Sequence, residues 1–112
     1  MAIHRSISPE EAADCLAPRE LVDIYAHRAD RQDAKDQMAL FTEDARFVVY
    51  MDAKSDIPSQ ALQGREALAP APYKLSQYKA TTHFNGQSTV VLDGSEATGA
   101  SYCFVLCIGT WK

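Results

Sequence analysis

Positive charge is scarce in this chain: 11 Lys and Arg stand against 15 Asp and Glu, giving a net charge of −4 and a pI near 5.2. The cations are scattered and form no basic stripe, which argues against a nucleic-acid or anionic-membrane surface. Long apolar runs are missing too. The longest, Tyr102 to Ile108, is far too short to span a bilayer. The opening Met1-Ala-Ile-His-Arg-Ser-Ile-Ser8 lacks the apolar core of a signal peptide, so a cytoplasmic location is the expectation. Three cysteines occur, Cys15, Cys103 and Cys107, an odd number without a CxxC pair. On one strand Cys103 and Cys107 would lie about 13 Å apart at ~3.3 Å per residue, too far for a disulfide. Buried thiols are expected. No metal-ligand spacing or nucleotide-binding motif is present, and neither a metal nor an organic cofactor is expected.

What remains is ordinary for a globular protein: 112 residues, 46% hydrophobic and 23% charged, enough for one domain with one core. Ser8-Pro9-Glu10-Glu11 is a helix start, with Ser8 as cap, Pro9 in the first turn and Glu11 completing a capping box. Pro18 is expected to end this helix and open another, which carries Leu21, Ile24, Tyr25 and Arg28. Asp33 caps a third, with Ala34, Met38 and Phe41 inward. Residues 45–51 are β-branched and aromatic and predict a strand, followed by a polar loop over 52–62. A helix begins at Gly64-Arg65-Glu66, and Pro70 and Pro72 should kink or shorten it. Residues 79–92 are β-rich, Asp93-Gly94 predicts a hairpin turn, and Glu96 to Ile108 a long final strand. Asn85-Gly86 reads either as a second hairpin or as a bulge within one strand.

Two segments carry chemistry. Tyr25-Ala-His-Arg-Ala-Asp30 ends a helix on a carboxylate, and Thr81-Thr-His83-Phe84 sets an imidazole in a β-rich run. Histidine changes charge near neutral pH, and a carboxylate orients it and raises its basicity, so the two would form an acid/base unit on contact. Each has a plainer reading. Asp30 would otherwise cap a turn or pair with Arg28 or Arg31, and His83 would be a satisfied sheet histidine. Tyr50 could polarise a carbonyl or be a core tyrosine. Tyr25, Met38, Phe47 and Phe84 line a ligand cavity or fill a core. His4 and His27 are expected at the surface.

The order of elements is α+β, with helices packed on one face of a curved sheet. That order, with Tyr25…Asp30…Asp33, Leu40-Phe41-Thr42-Glu43-Asp44-Ala45, Gly64-Arg65-Glu66-Ala67-Leu68, His83-Phe84 and Leu92-Asp93-Gly94-Ser95-Glu96-Ala97, resembles the SnoaL-like branch of the nuclear transport factor 2-like superfamily. Within it the chain is similar to the group containing scytalone dehydratase and bile-acid dehydratase. The resemblance implies a cone-shaped fold, its curved mixed or antiparallel sheet and N-terminal helices enclosing an apolar pocket, in a homodimer. It implies that Asp30, Tyr50 and His83 occupy catalytic pocket positions and favours the bulge at Asn85-Gly86. The pocket would be completed by Tyr25, Phe47, Phe84, Cys103 and Cys107. Two departures stand out: Cys107 lies where a second pocket histidine is expected, and the family's two closing strands are missing after Ile108. A single domain over residues 1–112, truncated at its C-terminal end, is the resulting expectation.

The function so implied is a cofactor-independent dehydratase or isomerase acting on a small hydrophobic, cyclic or polyketide-like carbonyl compound. The rival is a non-catalytic small-molecule binder or assembly subunit, because one fold hosts many functions. Alternation along the last strand puts Ser101, Cys103, Val105 and Cys107 on a pocket face. It puts Tyr102, Phe104, Leu106 and Ile108 on a face suited to a dimer contact.

Overall fold

Ser8 begins the first helix as expected. In the computed structural model, which describes residues 6–68 and 78–109, its hydroxyl accepts the Glu11 backbone N–H at 3.1 Å with Pro9 in the first turn. Helix α1 then runs unbroken over Pro9–Asp30, 22 residues with Pro18 inside it. The expected break at Pro18 is therefore corrected. Proline removes one backbone donor and crowds the preceding turn, a cost of roughly 3 kcal/mol. The turns on either side propagate, and packing along strand β3 holds the two halves in line. Gln32, at φ 56°, turns the chain sharply after α1. Asp33 then caps α2 (Ala34–Met38), accepting the Asp36 N–H at 3.2 Å.

Strand β1 is shorter than expected, Arg46–Val49, so Tyr50 falls just beyond it. Its partner is a correction: β2, Gln60–Gln63, pairs antiparallel with it inside the segment expected to be loop. Gln-Ala-Leu-Gln has weak strand propensity, and the ladder to β1 supplies the order. Gly64, at φ 88°, makes the left-handed turn into α3 (Arg65–Leu68). The expected effects of Pro70 and Pro72 lie outside the described residues, as does His4.

Strands β3 (Ala80–Asp93) and β4 (Glu96–Ile108) form a long antiparallel hairpin. Asp93 pairs with Glu96, so the two loop residues are Gly94 and Ser95, one position later than expected. Gly94 has φ 59° and Ser95 does not share that sign, the pattern of a II′ turn. Asn85-Gly86 is not a second turn. The register shifts between Asn85 and Ser88, a bulge within one continuous strand. Before the bulge, Thr81, His83 and Asn85 are the more buried residues; after it, Ser88, Val90 and Leu92 are. One extra residue thus changes which parity of the strand faces α1.

Among the described residues all pairing is antiparallel, in two separate two-stranded sheets. Among the described residues the buried apolar side chains are Ala26 and Ala29 of α1, Met38 of α2 and Leu68 of α3. Both faces of β4 are exposed, including Tyr102, Phe104, Leu106 and Ile108 at 56–78%. The expectation of buried thiols is corrected for Cys103 and Cys107, which are free and exposed; Cys15 is half-buried. No helix among the described residues is long and apolar enough to cross a membrane.

Candidate functional site

Helical spacing assembles one side of the site. Arg19, Asp23, Ala26 and Asp30 recur at intervals of four, three and four, and so share one face of α1. That face meets Thr81, His83 and Asn85 of β3. Asp30 lies in the last turn of α1 and reaches across the seam to three donors. Its Oδ1 is 2.6 Å from His83 Nδ1 and accepts the Thr81 hydroxyl at 3.1 Å; its Oδ2 accepts the His83 backbone N–H at 2.8 Å. That N–H therefore points away from β4 and is capped by the helix.

Both side chains are mostly shielded, His83 at 11% and Asp30 at 23% exposure. Burial pushes the Asp30 carboxyl up. The opposing hydrogen bonds from the His83 backbone, the His83 ring and Thr81, with the charge of an imidazolium, outweigh it and hold Asp30 below the usual carboxylate value. An ionised Asp30 accepts a proton-bearing Nδ1, which leaves Nε2 as the ring nitrogen free to exchange a proton.

The dyad opens into a cleft of about 290 Å³ between α1 and β3, bordered also by Arg19, Asp23, His27 and Asn85. His27 is exposed, as expected, and stands at this rim. Asn85 donates to Asp23 at 2.8 Å, and Asp23 lies 3.5 Å from Arg19 Nε. Arg19 Nη1 donates to the Gly86 carbonyl at 3.0 Å and the Ser88 hydroxyl at 3.1 Å, clasping the bulge. Sequence reasoning missed Arg19, Asp23, Thr81 and Asn85. The four-three-four spacing was the available signal for the first two, and alternation with His83 along β3 for Thr81 and Asn85. A larger cleft of about 730 Å³, walled by Lys35, Glu43, Arg65 and Glu66, contains neither dyad residue. Its Arg65 is spent on the Phe41 carbonyl through Nε and Nη2.

The other expected site residues are dispersed. Tyr50 is 52% exposed and does not border the dyad cleft. Tyr25 and Phe47 flank Phe41 in an edge-to-face chain, with ring centroids 5.9 and 6.4 Å apart. Burial pushes the Tyr25 phenol up, with a hydrogen bond from Gln37 opposing it. Phe84 borders the cleft, yet it pairs with Phe104 and is 73% exposed, on the strand parity opposite His83. Cys103 and Cys107 do share the dyad's face, because they pair with Asn85 and Thr81, but they do not border the cleft.

Solved structures share this arrangement of elements. A candidate scytalone dehydratase of Novosphingobium aromaticivorans is 20% identical with a TM-score of 0.72, the match covering 86% of this chain and 61% of that one. A nuclear transport factor 2-like protein with a cystatin-like fold, from the same organism, is 28% identical with a TM-score of 0.63, covering 81% and 57%. The beta subunit of a candidate aromatic-ring-hydroxylating dioxygenase, again from that organism, is 14% identical with a TM-score of 0.67, covering 84% and 65%. The chain thus spans about 60% of the length of the first two. No curated protein matches its sequence. The α+β fold is the nuclear transport factor 2-like, or cystatin-like, fold, and residues 10–110 match the model of the SnoaL-like domain, so the chain belongs to that family.

Proposed function

We propose that the chain is a cofactor-independent dehydratase or isomerase for a small hydrophobic, cyclic or polyketide-like carbonyl compound, with His83 as the proton-transfer residue. The observation that carries this reading is the double hold of Asp30 on His83. Nε2 takes a proton from the carbon next to the substrate carbonyl, and the C–H electron pair becomes the enolate. The Asp30 carboxylate stabilises the resulting imidazolium. As the enolate re-forms its carbonyl, the β C–O bond breaks with its electron pair. The imidazolium returns its proton to that oxygen, and water leaves. In an isomerisation the proton returns instead to another carbon of the dienolate. One imidazole serves both steps if the two groups leave from the same face of the substrate.

Tyr50 does not border the dyad cleft, and this sequence of steps does without it. The relative named as a scytalone dehydratase supports a dehydration over other lyase chemistry. The test is a pH–rate profile on cyclic β-hydroxy ketones, for the wild type and His83→Ala. A bell- or step-shaped profile in the wild type, lost with the imidazole, is expected. Equal turnover by the variant would overturn the assignment.

A second reading, an assembly subunit without turnover, is favoured by the apolar and exposed outer face of β4. A relative named as a beta subunit shares the fold and supports it. Ligand binding with no turnover of any β-hydroxy ketone would select this reading.

A further inference from the structure

The polar row beside the dyad is not used in the proton transfer. Arg19, Asp23 and Asn85 continue the Asp30–His83 seam along the same cleft. We infer that Asn85 is a specificity residue of this cleft, which takes a neutral aryl ketone bearing a hydroxyl para to its acyl group. The inference rests on the reading of His83 as the group nearest the carbonyl, and deepens it by naming the substrate class.

Charge excludes anions first. Arg19 already gives Nη1 to the Gly86 carbonyl and Ser88 hydroxyl, and its Nε faces Asp23. Nη1 and Nε of that cation are thus engaged within the protein, and two carboxylates, Asp23 and Asp30, border the cleft. The remaining titratable groups there are His83, held by Asp30, and His27 at the exposed rim. A carboxylate or phosphate finds repulsion along the seam, whereas a neutral ligand does not.

Asn85 then supplies the recognition. Its Nδ2 donates to Asp23 Oδ1 at 2.8 Å, which fixes which end of the amide is nitrogen. Arg19 anchors Asp23 in turn, so the amide is held before any ligand arrives. The second Nδ2 hydrogen and Oδ1 have no partner among the described residues. A donor beside an acceptor matches a hydroxyl, which both accepts and donates. Asn85 stands two positions along the strand from His83, about 6.6 Å at ~3.3 Å per residue. The carbonyl and phenolic oxygens of a para-hydroxyaryl ketone span a similar distance.

Binding tests this without turnover. Acetophenone, para-hydroxyacetophenone and para-acetylbenzoate are titrated into the whole chain and followed by amide NMR shifts. The hydroxylated ketone should bind about fivefold more tightly than acetophenone, the gain of one net hydrogen bond. Asn85→Leu should bring those two affinities together. Asn85→Ala, which removes donor and acceptor without adding bulk, should do the same, with melting temperature confirming that each variant is folded. Equal affinities in the wild type, no binding of either ketone, or a preference that survives in both folded variants would overturn the inference. Tighter binding of para-acetylbenzoate than of acetophenone would also overturn it. Failure to turn over any β-hydroxy ketone removes the dehydratase reading and leaves this preference standing. Turnover without the preference removes this inference alone.

Discussion

Asp30 grips His83 at two points, the ring through Oδ1 at 2.6 Å and the backbone N–H through Oδ2 at 2.8 Å. The ring contact sets the imidazole's tautomer. The backbone contact ties the carboxylate to the strand, so helix and strand cannot shift without breaking both. A catalytic geometry is thereby held by a structural bond.

Asp30→Asn should lower kcat/KM on any turned-over β-hydroxy ketone by roughly a hundredfold or more, since the neutral amide no longer stabilises the imidazolium. The amide can still accept at one oxygen, so the stability loss should be about 1 kcal/mol. Steady-state kinetics beside thermal melts checks both. Unchanged kcat/KM would show that the dyad is only structural.

The lowered Asp30 pKa makes a second prediction, about acid stability. The folded state favours the ionised carboxylate, so its contribution is fully present above the ordinary value of 3.8 and is lost as pH falls through the lower folded value. Melting temperature measured from neutral pH down through about pH 3 should therefore fall more steeply in the wild type than in Asp30→Asn. The two curves should converge in acid. Parallel curves would remove this linkage.

Arg19→Met keeps the aliphatic stem but deletes the clasp on Gly86 and Ser88. A loss of about 1–2 kcal/mol is expected. Faster amide exchange should be confined to the bulge between Asn85 and Ser88. Exchange that is uniform along β3 would mean that the bulge holds itself.

Gly99 faces a different constraint. A Cβ there would lie 2.4 Å from the Thr89 carbonyl oxygen, a backbone atom that cannot swing aside. Gly99→Ala should destabilise the hairpin by about 1–3 kcal/mol in denaturant titration. A neutral effect would show that β3 and β4 separate locally at little cost.

The outer face of β4 gives the last prediction. Tyr102, Phe104 and Leu106 are 65–78% exposed, and Phe84 pairs with Phe104 beside them. A homodimer through this face is expected at micromolar concentration, with Phe104→Glu shifting it to monomer in light scattering. A wild-type monomer would remove the proposal.

Local signals decided much of this protein. Ser8-Pro9 and Asp33 start helices because each offers an oxygen to orphaned N–H groups. Gly94 starts the hairpin turn because it takes a positive φ without strain. The resemblance carried by ordered phrases pointed to the fold and to Asp30 with His83. Other features depended on partners distant in sequence. Pro18 reads as a helix end, yet packing on β3 outweighs its local cost. Gln60–Gln63 has little strand propensity and becomes β2 because β1 offers a ladder. Residues 85–88 bulge rather than turn, with Arg19, 67 positions from Gly86, clasping them. The dyad is the clearest case. Residue types named its members, but closing the 53 positions between them required the turn at Gln32 and the packing of α1 on β3. Tyr50, equally plausible by residue type, falls outside the cleft, which α1 and β3 border, because β1 pairs with β2 in a separate sheet. Sequence assigns chemical capability residue by residue, whereas proximity is a property of the packed chain.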